Sequence, residues 1–89
     1  MFFWSKKLKI GDTYACTAGI HVGKILIFIE DNKEEYGFLS VPEMKNMWIP
    51  KEKFDFGVEH DIIDYVERVP KFAWKTSKAQ FLQNKEKEL

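Results

Sequence analysis

The sequence predicts a mainly β protein: a small, strongly bent antiparallel sheet of about five strands, with a one-turn helix near residue 52 and a short C-terminal helix. Three observations carry this. Ile25 to Ile29 reads Ile-Leu-Ile-Phe-Ile, apolar without alternation, so both faces of that strand are expected to be covered. The other apolar runs are short and bounded by turn signals such as Gly11-Asp12 and Ala18-Gly19. Pro50 stands where it can open a helical turn, because its fixed φ suits a first helical position.

Leu8 and Ile10 precede the Gly11-Asp12 turn, and Thr13 to Thr17 is a short strand with Tyr14 and Cys16 on one face. Ile20 to Glu30 is the long strand, and Gly23 within it suits a bend. Asp31 to Glu35 is a polar hairpin loop. Tyr36 to Val41 returns, with Tyr36 and Phe38 on one face and Leu39 and Val41 on the other. Pro42 closes that strand, since it offers no ladder donor. Asn46 to Ile49 is a further strand, followed by the single turn Lys51 to Phe54 and by Gly57. Asp61 to Val69 carries apolar residues at helical spacing, yet its β-branched and aromatic types favour a strand, which is the preferred reading. Lys71 to Trp74 reads as a turn. Ser77 and Gln80 form a capping box for a helix from about Lys78, and the polar tail Asn84 to Leu89 is expected to fray.

The chain of 89 residues is one domain, with the sheet over about 8–70 and the C-terminal helix and tail over about 71–89. Its 16% aromatic content suits a core that needs neither metal nor disulfide. The lone Cys16 has no intrachain partner and suits a reducing compartment such as the cytoplasm. No apolar run approaches the roughly 18 residues that span a bilayer, so no membrane role is expected. Phe2, Phe3 and Trp4 are followed at once by lysines, the reverse of a secretory leader.

Leu8 to Tyr14 (Leu-Lys-Ile-Gly-Asp-Thr-Tyr) and Gly23 to Ile29 (Gly-Lys-Ile-Leu-Ile-Phe-Ile) give the chain, over about residues 8–70, a resemblance to SH3-like small β-barrels of the KOW or Tudor type. The resemblance implies a barrel-like fold and a habit of binding.

Several groups could carry chemistry. Cys16 and His21 could face each other across a turn, although a free cysteine is more often a small buried hydrophobe. With His60 and Asp61 they supply metal-ligand types without a close ligand pair, so no metal and no other cofactor is expected. Asp55, Glu59, Asp61 and Asp64 read as a solvated rim, and no phosphate loop or nucleophile elbow is present. No catalytic residue is assigned, and the chain is read as a non-enzyme.

Net charge is zero, but it is unevenly distributed. Lys6, Lys7, Lys9 and Lys24 face only Asp12 in the N-terminal stretch, and Lys71, Lys75, Lys78, Lys85 and Lys87 dominate the C-terminal one. The functional expectation is a small binding or regulatory module that acts by contact with another protein, as a monomer or homodimer. Its anchors would be Phe3, Trp4, Met47, Trp48, Phe72 and Trp74, since aromatic anchors dominate interfaces. Met44, Met47 and Trp48 form a cluster that suits an adaptable surface and the core equally. One alternative is nucleic-acid binding through Lys6, Lys7, Lys9, Lys71, Lys75 and Lys78 beside the aromatics. The other, by analogy alone, is a phage-type accessory protein that inhibits a host enzyme.

Overall fold

A computed structural model describes residues 7–87. Its strands are β1 (Asp12–Cys16), β2 (Ile25–Asp31), β3 (Glu35–Val41), β4 (Lys45–Pro50) and β5 (Ile63–Arg68). Two helices, α1 (Lys51–Glu59) and α2 (Lys71–Lys87), follow β4 and β5. The strands form one antiparallel sheet in the order β4-β3-β2-β1-β5. The sheet is mainly a meander, β5 returns to pair with β1, and β4 and β5 are left as its two edges. It does not close.

β2 shows how the apolar quintet is used. Leu26 and Phe28 point into one core with Tyr14, Tyr36, Phe38 and Phe54, while Ile27 and Ile29 meet Leu39 and Phe81 on the other face. Four of the five residues are thus sandwiched. Ile25, at the strand's first position, is 37% exposed. The strand also starts later than the sequence suggests. Gly19 and Gly23 adopt positive φ, and Ile20 to Gly23 fold as turns that bond back to Cys16. Gly23 therefore sits in the loop, because its left-handed backbone cannot continue a ladder.

The register slips at the far end of β2: Phe28 pairs with Phe38 and Glu30 with Gly37, leaving Ile29 as the extra residue of a bulge. Ile29 packs toward Phe81 and Glu30 bonds Lys85 of α2, whereas Asp31 reaches Lys51 of α1 at 2.7 Å. The bulge directs these two neighbouring carboxylates to opposite helices.

The first core is a nest of rings. Tyr14 and Tyr36 meet Phe54 edge-on at 5.0 and 5.2 Å, and Phe38 stacks on it at 5.5 Å. Phe54 brings α1 under the sheet, where that helix touches β3, β4 and β5 and so bridges the two unpaired edges. α1 is longer than one turn. It runs through Gly57, which Ile63 covers so closely that a Cβ there would lie 2.6 Å from Ile63 Cδ1. The glycine serves helix–strand packing rather than helix termination.

α2 also exceeds expectation. It begins at Lys71, with the Pro70 carbonyl accepting from Ala73 and Trp74, so the Ser77–Gln80 box lies mid-helix. Trp74, Ser77, Phe81, Asn84 and Lys85 fall on the face toward β2, β3 and β4, a 3.6-residue stripe. The polar end stays helical through Lys87 and is tied to the sheet as far as Lys85; residues 88 and 89 lie outside the described residues. Asn84 bonds Asn46 Oδ1 and the Met44 carbonyl, Asn46 donates to the Phe81 carbonyl, and Lys85 bonds both Glu30 oxygens at 3.0 Å. The ambiguous segment is strand, as preferred: Ile63 is buried at the start of β5 and the Tyr65 ring meets Tyr14. Asp12, 1% exposed, accepts from the Lys9 amide and from Arg68 Nε, tying the start of β1 to the end of β5. Among the described residues no helix is long and apolar enough to cross a membrane.

Candidate functional site

Where the sheet fails to close, a groove of about 380 Å³ remains. One wall is the edge strand β4, contributing four consecutive residues from Met47 to Pro50. The other is the end of β1 with the loop that follows it, from Cys16 to His21. Ile62 and Ile63 close the floor, and Lys53 of α1 stands at one side. The loop takes this shape because Gly19 and Gly23 bracket it with positive φ. Thr17 pins it to the α1–β5 connection through the carbonyls of Asp61 and Ile62, at 2.6 and 3.2 Å.

The lining is apolar, and its rim is more so. Ile20 is 90% exposed and Val22, two residues on in the same loop, 60%. The ionisable groups of the lining are Lys53, His21 and the Cys16 thiol, and it contains no carboxylate. Nδ1 of His21 is shut away from solvent without a hydrogen-bond partner among the described residues. The fold thus brings Cys16 and His21 to one groove. Burial pushes the Cys16 thiol up, with Lys24 opposing that only in part, so the thiol stays protonated where a nucleophile would need to be thiolate. Among the described residues no three His, Cys, Asp or Glu side chains gather as a metal set. His60 instead ends α1 with its ring stacked on Phe56 at 3.9 Å.

The acidic rim holds one surprise. Burial first, and the Glu59 carboxylate second, raise the Asp55 carboxyl above its ordinary range. A solvated rim would not do this. The i, i+4 spacing of Asp55 and Glu59 was the available signal. A second concavity of about 490 Å³ lies between the β2–β3 hairpin and the start of α1. Its lining mixes Lys33 and Lys51 with Glu34, Glu35 and Glu52, and Lys51 already pairs with Asp31.

The expected anchors separate. Phe3, Trp4 and Lys6 lie outside the described residues. Met47 lines the groove and packs on the first core. Trp48, one residue on, turns its ring to the opposite face, 5.5 Å from Phe81 and beneath Lys85. Met44 sits apart in the β3–β4 turn. Trp74 rests on Gly11, with Lys78 over its ring at 6.0 Å. Both tryptophans are therefore joints between α2 and the rest of the fold rather than free anchors. Phe72 alone among the described aromatic candidates is largely bare, at 82% exposure. Lys7, Lys9, Lys71 and Lys75 are exposed and Lys78 is half-buried.

Set against protein-family models, curated proteins and solved structures, the chain matches none. Of the two concavities described, the groove beside β4 is the more apolar. Ile20, Ile49, Ile62 and Lys53 were not singled out from sequence. The Gly19-to-Gly23 bracket around Ile20, His21 and Val22 was the one legible hint, since two glycines so close favour a loop that would expose them.

Proposed function

We propose that the chain is a small non-enzymatic binding module that acts by contact with another protein, and that the groove between β4 and the β1–β2 loop is its contact surface. The observation that carries this is Ile20, 90% exposed at the rim of an apolar groove floored by Cys16 and Ile62. Bare apolar surface next to an apolar hollow marks interaction sites. The connectivity, a four-strand meander, a helix, then a fifth strand beside the first, supports the SH3-like resemblance, in which binding is the common role. A partner segment of extended apolar character suits the hollow. A photo-crosslinker in place of Ile20, compared with one at the exposed Gln83, tests the reading in the native cell. A discrete product formed only from position 20 supports it; identical products from both positions, or none, remove it.

A second reading has its own observation. Trp74 packs on Gly11, so the stretch with Lys7 and Lys9 adjoins the one with Lys71 and Lys75, beside the bare ring of Phe72. Lysines beside an exposed ring suit single-stranded nucleic acid. Titration with a single-stranded oligonucleotide at low salt decides it, because counterion release makes binding strongest there. The sequence pI of about 6.7 keeps this reading second.

A further inference from the structure

We propose that the groove receives an extended segment of a partner protein as an added strand on the free edge of β4, with an acidic residue of that segment meeting Lys53. This rests on the protein-binding reading above and gives it a mechanism.

The argument starts from Trp48. Its ring lies on the far face of the sheet, against Phe81 and the backbone of Gly37. Yet Trp48 also lines the groove, between Met47 and Ile49. With its ring turned away, Trp48 has its main chain left to face the groove. The groove wall therefore combines the backbone edge of β4 with the side chains of Met47 and Ile49. Among the described residues β4 pairs with β3 alone. In an antiparallel strand alternate residues direct their N–H and C=O away from the partner, so those of β4 face the groove. An unpaired strand edge is a template for another strand, and such addition combines main-chain bonds with pockets for alternate side chains. Met47, Ile62 and Cys16 supply the pocket, and Ile20 stands exposed at the rim. Pro50, which has no N–H, ends the edge, so the added strand is short.

Charge selects the segment. Lys53 has no ion-pair partner among the described residues. The lining holds no carboxylate to repel an incoming acid. An extended apolar segment with one Asp or Glu matches this surface, whereas a basic segment does not.

The test begins with a phage-displayed library of random linear peptides panned on the full chain. Enriched peptides are then synthesised with each backbone amide N-methylated in turn, and with the acid replaced by its amide. Strand addition predicts that methylation at every second position weakens binding by about tenfold, as expected for one lost hydrogen bond, and that the intervening positions tolerate it. The acid-to-amide change weakens binding to the wild-type chain and has no effect on the Lys53→Ala variant. Peptides that require Ile20 but tolerate methylation throughout overturn the added strand and leave the groove reading standing. Peptides bound equally by the Ile20→Asp variant, or no enrichment at all, overturn both. A concentration-dependent dimer in sedimentation that Ile20→Asp disperses assigns the groove to a second copy and also overturns the proposal. Ile20→Asp is safe for folding because the residue lies almost wholly in solvent.

Discussion

The indole of Trp48 lies across the backbone of Gly37, its cross-strand neighbour on β3, so closely that a Cβ at Gly37 would come 2.7 Å from Cζ3 and 2.9 Å from Cζ of Phe81. Here α2, β3 and β4 are locked together by the absence of one methyl group. Gly37→Ala overpacks this joint and is expected to cost about 1–3 kcal/mol, read as a lower midpoint in chemical denaturation. A Gly37→Ala variant as stable as the parent would show that α2 is not seated on this glycine.

Phe81 is the one fully buried side chain of α2. Phe81→Ala removes the knob between Ile29, Leu39 and Trp48 and is expected to cost about 3–5 kcal/mol. Leu82→Ala, one residue on and 45% exposed, is expected to stay within about 0.5 kcal/mol. Equal losses at the two positions would contradict the orientation of the helix.

The raised carboxyl of Asp55 has a consequence for pH dependence. Burial and Glu59 make the folded chain hold this proton more tightly than the unfolded chain does. Its ionisation thus opposes folding at neutral pH. That penalty is relieved as pH falls through the raised folded value and is gone below the unfolded one. Asp55→Asn is expected to raise the melting temperature at neutral pH, with the gain vanishing below about pH 3. Thermal melts across that range check the sign.

Cys16 is 8% exposed and its thiol is pushed up by burial. Ellman's reagent at mildly alkaline pH is expected to react slowly with the native chain and at once in denaturant. Rapid native reaction would reopen the question of a nucleophile paired with His21.

Much of the fold was written in local pattern. Tyr14 with Cys16, and Tyr36 with Phe38, fell on shared faces because strand alternation leaves no other choice. The Ile25–Ile29 run predicted a covered strand, and α2 proved to be half of that cover. The helix lengths were not legible. The single turn Lys51 to Phe54 stops short of Gly57 and the polar tail from Asn84 reads as an end, yet Ile63 needs the space at Gly57, and Asn46 and Glu30 wait for Asn84 and Lys85. Those reasons are tertiary and lie far away in sequence. The groove was hidden for the same reason: Ile20, Met47, Lys53 and Ile62 converge only because β5 returns to β1 and leaves the outer edge of β4 free among the described residues. Trp48 and Trp74 seat α2 on the rest of the fold, a role the residue type alone does not distinguish from an interface anchor, since large aromatics serve a small core as readily as an interface.

The return of β5 also orders the assembly of the molecule. Its register with β1 joins Thr13 to Glu67, whereas β1 through β4 are linked by short connections between neighbours. Closing the longer loop pays its entropy before any reward, so the meander forms first and β5 arrives late. In native-state hydrogen exchange the amides of β5, whose residues are all exposed after Ile63, are expected to open well before those of β2 and β3. The seam beside β4 then belongs to the part of the molecule that yields earliest, where an incoming chain meets the least resistance.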